Sequence, residues 1–157
     1  MQTFLPYADL GQSAQVLDYR RLGKQRVETK QILMALDAIE SGDLYMTDKL
    51  GRRRKRGWVS HPCTSMWKGH EGLLAVYGLT MCLEWRKRGY NDSLLPWFTE
   101  RLTGADLSAP TWWGWEDLHY SHRCNLVRKD SDHYAPIFVD ADPSVEYVWP
   151  APKEIRA

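Results

Sequence analysis

Between Ser13 and Ser41 the residues Ala14, Leu17, Ile32, Ala35, Leu36 and Ile39 fall in one sector when projected at 100° per residue. Such spacing predicts a long helix, begun by Ser13 as its cap and ended by Gly42. It must bury that sector against other elements. Arg21, Gln25 and Glu28 lie in the same sector, at steps of four and three that let neighbours touch. Two readings are open. One is structural: a buried ion pair bridged by an amide, or a bend near Gly23 that turns the first half of the helix outward. The other is a cleft into which the helix projects arginine for anions and a carboxylate for acid/base or electrostatic work, flanked by Arg20, Lys24 and Arg26.

At 157 residues the chain suits one domain, expected to span residues 1–157. No apolar run approaches the roughly 20 residues of a membrane span, and MQTFLPYADL lacks the basic and apolar blocks of a signal peptide. A cytoplasmic protein without membrane contact is expected, working as a monomer. Cys63, Cys82 and Cys124 form no CxxC pair, which favours free thiols.

Further along, Arg52, Arg53, Arg54, Lys55 and Arg56 form a run with no apolar spacing, expected as an exposed loop. Ser60-His61-Pro62 opens a second helix, predicted to continue to Gly89. Residues 90–114, rich in Pro, Gly and Trp, read as a packed connection, and a third helix is expected from Trp115 to Lys129. From Ala135 four prolines predict an extended tail over the surface. The expected fold class is mainly α: a compact domain of about three main helices, irregular connections and an extended C-terminal tail.

The net charge of +1 hides an asymmetry. Residues 1–62 carry eleven Lys and Arg against seven Asp and Glu, whereas residues 106–157 carry five against nine. A basic front on a nearly neutral chain suggests one face for a polyanion. His61 reads either as a helix cap or as a catalytic group at a helix start. His122 and Asn125, one turn apart, either satisfy each other in the core or line a pocket. The His and Cys spacings match no common zinc site, and GxxxxGK, GxSxG and GxGxxG are all missing from the sequence, so no metal or cofactor is expected. Some of the eight tryptophans and eight tyrosines stand beside basic residues, where they could stack on exposed bases.

The ordered segments VLDYRRLGKQRVE, GWVSHP, CLEWRKRGYND and SHRCNLVRKDSDHYAPIF resemble the pyrimidine dimer DNA glycosylase family, of the phage endonuclease V type, over most of residues 1–138. The resemblance implies a compact, mainly helical, cofactor-free enzyme. It would bind damaged duplex DNA, kink it, flip a base, cut the glycosidic bond with an amine nucleophile and open the strand through an imine. It places Arg20 on the family's arginine and Arg21 where the family carries its catalytic glutamate, so Glu28, on the same face, is the candidate carboxylate. For the nucleophile it points to the α-amine of Met1, or to a lysine such as Lys24; α-amines titrate near 8 and are partly neutral at pH 7. Arg21 and His61 complete the candidate catalytic set. The DNA-binding set is Arg20, Gln25, Arg26, Arg52 to Arg56, His122 and Asn125. A glycosylase without lyase activity, a non-catalytic binder of distorted or modified duplex, and a nucleoside hydrolase or transferase are the competing readings.

Overall fold

The computed structural model of the protein describes residues 1–150. Its first helical stretch is divided by an aspartate. Helix α1 spans Leu10–Val16 and α2 spans Tyr19–Ser41, where one helix from Ser13 was expected. Leu17 and Asp18 between them are extended, and the Asp18 carboxylate accepts from the Arg21 N–H at 3.3 Å. A side chain that supplies its own acceptor restarts the helix here, and apolar periodicity does not register that. Asp9 caps α1, and Ser13 is buried, donating to the Tyr7 carbonyl. Gly42, at φ 76°, ends α2 as expected.

The expected second helix is also two. Helix α3 (Pro62–Trp67) follows His61, whose Nδ1 accepts from the Cys63 N–H at 3.0 Å, and α4 runs Glu71–Lys87. Gly69 between them takes φ 86°, a region that costs a residue with a Cβ about 1–2 kcal/mol. The basic run is a hairpin: β1 (Tyr45–Thr47) pairs antiparallel with β2 (Arg53–Lys55), Met46 opposite Arg54. Within residues 90–114 lies α5 (Leu95–Glu100), and α6 (Glu116–Lys129) and α7 (Ser131–Tyr134) follow. The fold is mainly α.

Helix α2 packs chiefly on α4, and α4 on α5. The core between them contains Leu22, Ile32, Leu33, Leu74, Tyr77 and Phe98, with Trp67 and Trp112 in edge-to-face contact at 5.1 Å. The tail runs without helix or strand from the end of α7 to residue 150, and Tyr147, Val148 and Trp149 pack on the core. The remainder of the expected tail lies outside the described residues. Cys63, Cys82 and Cys124 are buried free thiols.

The amino-terminal segment is threaded through this body. Leu5 donates its N–H to His122 Nδ1 and accepts at its carbonyl from His119 Nδ1, both at 2.8 Å. Phe4 donates its N–H to Gln25 Oε1 at 3.0 Å, and the Phe4 carbonyl accepts from the Tyr77 hydroxyl at 2.9 Å. Trp67 Nε1 donates to the Thr3 hydroxyl, and Gln25 Nε2 to the Gln2 carbonyl, both at 2.9 Å. A polar backbone can be buried only if its hydrogen bonds are made, and here α2, α4 and α6 make them while α3 holds the Thr3 side chain.

Candidate functional site

The pinned segment delivers Met1 and Gln2 to a cleft of about 940 Å³. Helix α2 forms one wall with Asp18, Tyr19, Arg20, Arg21, Lys24 and Glu28. Lys129, Asp130 and His133, at the junction of α6 and α7, form the other, and Tyr147 closes a side from the tail. Arg20, Arg21, Lys24 and Lys129 thus share one concavity with Asp18, Asp130 and Glu28.

The carboxylates differ in what they already hold. Asp18 accepts a short hydrogen bond from the Tyr134 hydroxyl, which itself accepts from the Asp18 N–H at 2.9 Å, and Arg21 Nη1 lies 3.1 Å from the same carboxylate. Burial opposes the charge of Asp18, but the bonds from Tyr134 and Arg21 outweigh it and hold Asp18 below the usual carboxylate range. Burial raises the Tyr134 phenol, and its bond to Asp18 raises it further. Arg21 also reaches Asp130 at 4.0 Å and lies over the Tyr134 ring. Glu28, by contrast, has no hydrogen bond or ion pair among the described residues, although its charge is felt at buried Cys63 and Tyr77. It also borders a smaller apolar hollow beside the cleft, floored by Trp85.

Of the residues singled out from the sequence, Met1, Arg20, Arg21, Lys24, Gln25 and Glu28 come together around the cleft. Gln25 does so from inside. It is 1% exposed, and both ends of its amide are committed to the amino-terminal segment and Tyr77. Arg26 turns away. It pairs closely with Asp92, whose side chain is fully buried, and stacks on Trp85 at 4.7 Å, which ties α2 to the turn after α4. His122 and Asn125 are buried and do not pair with each other. His122 serves Leu5, and Asn125 Nδ2 donates to the Ser121 and Val145 carbonyls. As placed, Gln25, Arg26, His122 and Asn125 are occupied by the scaffold rather than presented to DNA.

Burial, and secondarily the chain's amino terminus, lower the His61 pKa, so its imidazole is neutral near pH 7 and lies within electrostatic range of Met1. It caps α3 and packs edge-on against Trp58 and Trp149, behind the residues that line the cleft. Arg52 to Arg56 stand on the hairpin, exposed apart from half-buried Arg56 and likewise outside the cleft lining. Sequence reasoning passed over Asp18, Lys129, Asp130, His133 and Tyr134. The last four stand in the segment VRKDSDHY, and Asp18 directly before YRRL, where an aspartate ahead of a helical run is a capping signal.

The cleft of this mainly helical body gathers four basic side chains and, in Glu28, a carboxylate without a partner among the described residues, an arrangement that suits an anionic ligand. A family profile described as pyrimidine dimer DNA glycosylase matches residues 1–95, and the chain belongs to that family. No curated protein and no solved structure matches it. The matched residues supply the amino-terminal segment and the α2 wall; the opposite wall, from α6 and α7, lies beyond them.

Proposed function

We propose that the protein is a DNA glycosylase that removes a damaged or modified pyrimidine, such as an ultraviolet-induced dimer, from duplex DNA in the cleft between α2 and α6–α7. The observation that carries this reading is Glu28, the cleft carboxylate without a hydrogen bond or ion pair among the described residues, in one concavity with the amines of Met1 and Lys24. Breaking the bond between the base and sugar C1′ sends its electron pair to the base and builds positive charge on the sugar. A carboxylate lowers the energy of that charge, and Arg20, Arg21 and Lys129 suit the flanking phosphates. An amine attacking C1′ forms an N–C1′ bond, and opening of the sugar ring leaves an imine. Loss of a C2′ proton then expels the 3′ phosphate, which gives the lyase step.

A second reading is favoured by Arg21, which stands where the resemblance places the family's glutamate and is engaged by Asp18. In that reading the cleft binds distorted duplex without cutting it. Incubation with ultraviolet-irradiated duplex and with a panel of modified-pyrimidine duplexes, under borohydride, decides between them. Base release and a covalent adduct mapping to Met1 or Lys24 are expected; tight binding with neither release nor adduct across the panel overturns the glycosylase reading.

A further inference from the structure

The β1–β2 hairpin carries six cations and one carboxylate between Tyr45 and Arg56, and both strands are exposed along their length. Its tip is stiff. Asp48 Oδ1 accepts from the N–H groups of Leu50 and Arg52 at 2.9 and 3.0 Å, and Oδ2 from the side chains of Arg52 and Arg54 at 2.9 and 2.6 Å. Gly51 turns the chain at φ 75°. This frame holds Leu50 74% exposed at the apex. Arg53 lies over the Tyr45 ring at 4.1 Å, and neither it nor Lys49 has an ion pair among the described residues. At the base, Lys55 Nζ donates to Ser60 Oγ at 2.6 Å and Arg56 Nε to the Asp43 carbonyl at 2.8 Å. Ser60 adjoins His61, the cap of α3, so the base of the ribbon is tied to the start of that helix.

An apolar side chain fixed in water gains nothing in the free protein, and cations around it exclude an ordinary apolar partner. Proteins that kink DNA insert leucine and similar side chains between base steps from the minor groove, with cations on the adjoining phosphates. We propose, resting on the DNA-directed reading above, that this hairpin is a duplex wedge: Leu50 enters between base steps while Lys49, Arg52, Arg53 and Arg54 hold the flanking phosphates. The wedge lowers the cost of bending the duplex into the cleft.

The test uses the full chain with duplexes carrying 2-aminopurine at successive positions away from any lesion, together with anisotropy titrations at several salt concentrations. Wild type should brighten 2-aminopurine at one unstacked step. Leu50→Ala should lose that signal and bind roughly tenfold more weakly, with the salt slope unchanged. Leu50→Phe should restore the signal, and Arg53→Ala should keep it while reducing the slope by about one. Circular dichroism of each variant checks the fold. If Leu50→Ala binds, brightens and excises as wild type does, the wedge is wrong and the glycosylase reading stands. Failure of wild type to bind any duplex removes both. Loss of binding to anionic vesicles, with DNA binding intact, would instead assign the apex to a lipid surface.

Discussion

The N–H of Leu5 donates to His122 Nδ1 across 2.8 Å, joining the amino-terminal segment to α6. Only an imidazole unprotonated at Nδ1 can accept that bond. Burial, reinforced by neighbouring His119, drives the His122 pKa down to about 3 from 6.5. The unfolded chain therefore binds a proton that the folded one refuses. Stability should be full above pH 6.5 and should fall as pH drops from there towards 3, by about 1.4 kcal/mol per unit from this residue alone. His119, lowered by burial, acts in the same direction. Depressed Asp18 and Asp92 add their losses only at lower pH, below the usual carboxylate value. Urea unfolding between pH 7 and 4.5 should show the slope, and His122→Gln should reduce it.

Gln25 should matter more to the cleft than its distance from the chemistry suggests. Gln25→Leu keeps the volume but strips partners from the Phe4 N–H and the Gln2 carbonyl, both inside the protein. The expected loss is about 2–4 kcal/mol by urea unfolding. Excision should fall further than DNA affinity, because Met1 and Gln2 lose their placement while the cations keep theirs.

The side of α2 that carries Arg21, Gln25 and Glu28 was legible from the 100° projection, with a cleft as one of two readings the pattern left open. Their separate fates were not. Gln25 is taken by residues 2–4, Arg21 by Asp18 beside Tyr134, and Glu28 by nothing among the described residues. The partners of Gln25 come from a terminus whose path has no periodicity, and Asp18, only three positions before Arg21, is fixed by Tyr134 from 116 positions on, so an apolar projection of the helix registers neither. Arg26 shows the same limit: its charge read as a DNA contact, but Asp92, 66 positions on, claims it. The exposed character of residues 52–56 was visible, whereas their pairing was hidden because a ribbon exposed on both sides has no alternation to read.

Arg26→Met separates scaffold from interface. It removes the closest partner of the Asp92 carboxylate, whose side chain is fully buried, and leaves the Leu95 N–H at 2.8 Å and Arg86 at 3.7 Å, so the loss of one charge-assisted bond should cost about 1.5–3 kcal/mol. Thermal unfolding should show this, while the salt dependence of DNA binding stays unchanged at temperatures where the variant is folded. Arg20→Ala, at an exposed cleft residue, should do the reverse, with stability kept and the salt slope reduced by about one.

Gly78 is where α4 meets α5. A Cβ built there would lie 2.4 Å from the buried Phe98 ring, closer than any relaxation of α4 alone can relieve. Gly78→Ala should therefore destabilise by about 1–3 kcal/mol despite alanine's better helix propensity, read as a fall in Tm.

Glu28→Gln and Asp18→Asn together identify the working carboxylate. Glu28 makes no structural bond among the described residues, so its amide variant should fold with wild-type stability and bind duplex with unchanged or slightly higher affinity. Base release should drop at least about 100-fold, because charge developing on the sugar loses its counterion. Asp18 caps α2 and holds Tyr134 and Arg21, so Asp18→Asn should lose stability first, by about 1–3 kcal/mol. Single-turnover excision at saturating enzyme, run beside thermal unfolding, separates the two. Full excision by Glu28→Gln with loss in a folded Asp18→Asn would move the catalytic role to Asp18, one turn before the position at which the family resemblance expects its glutamate.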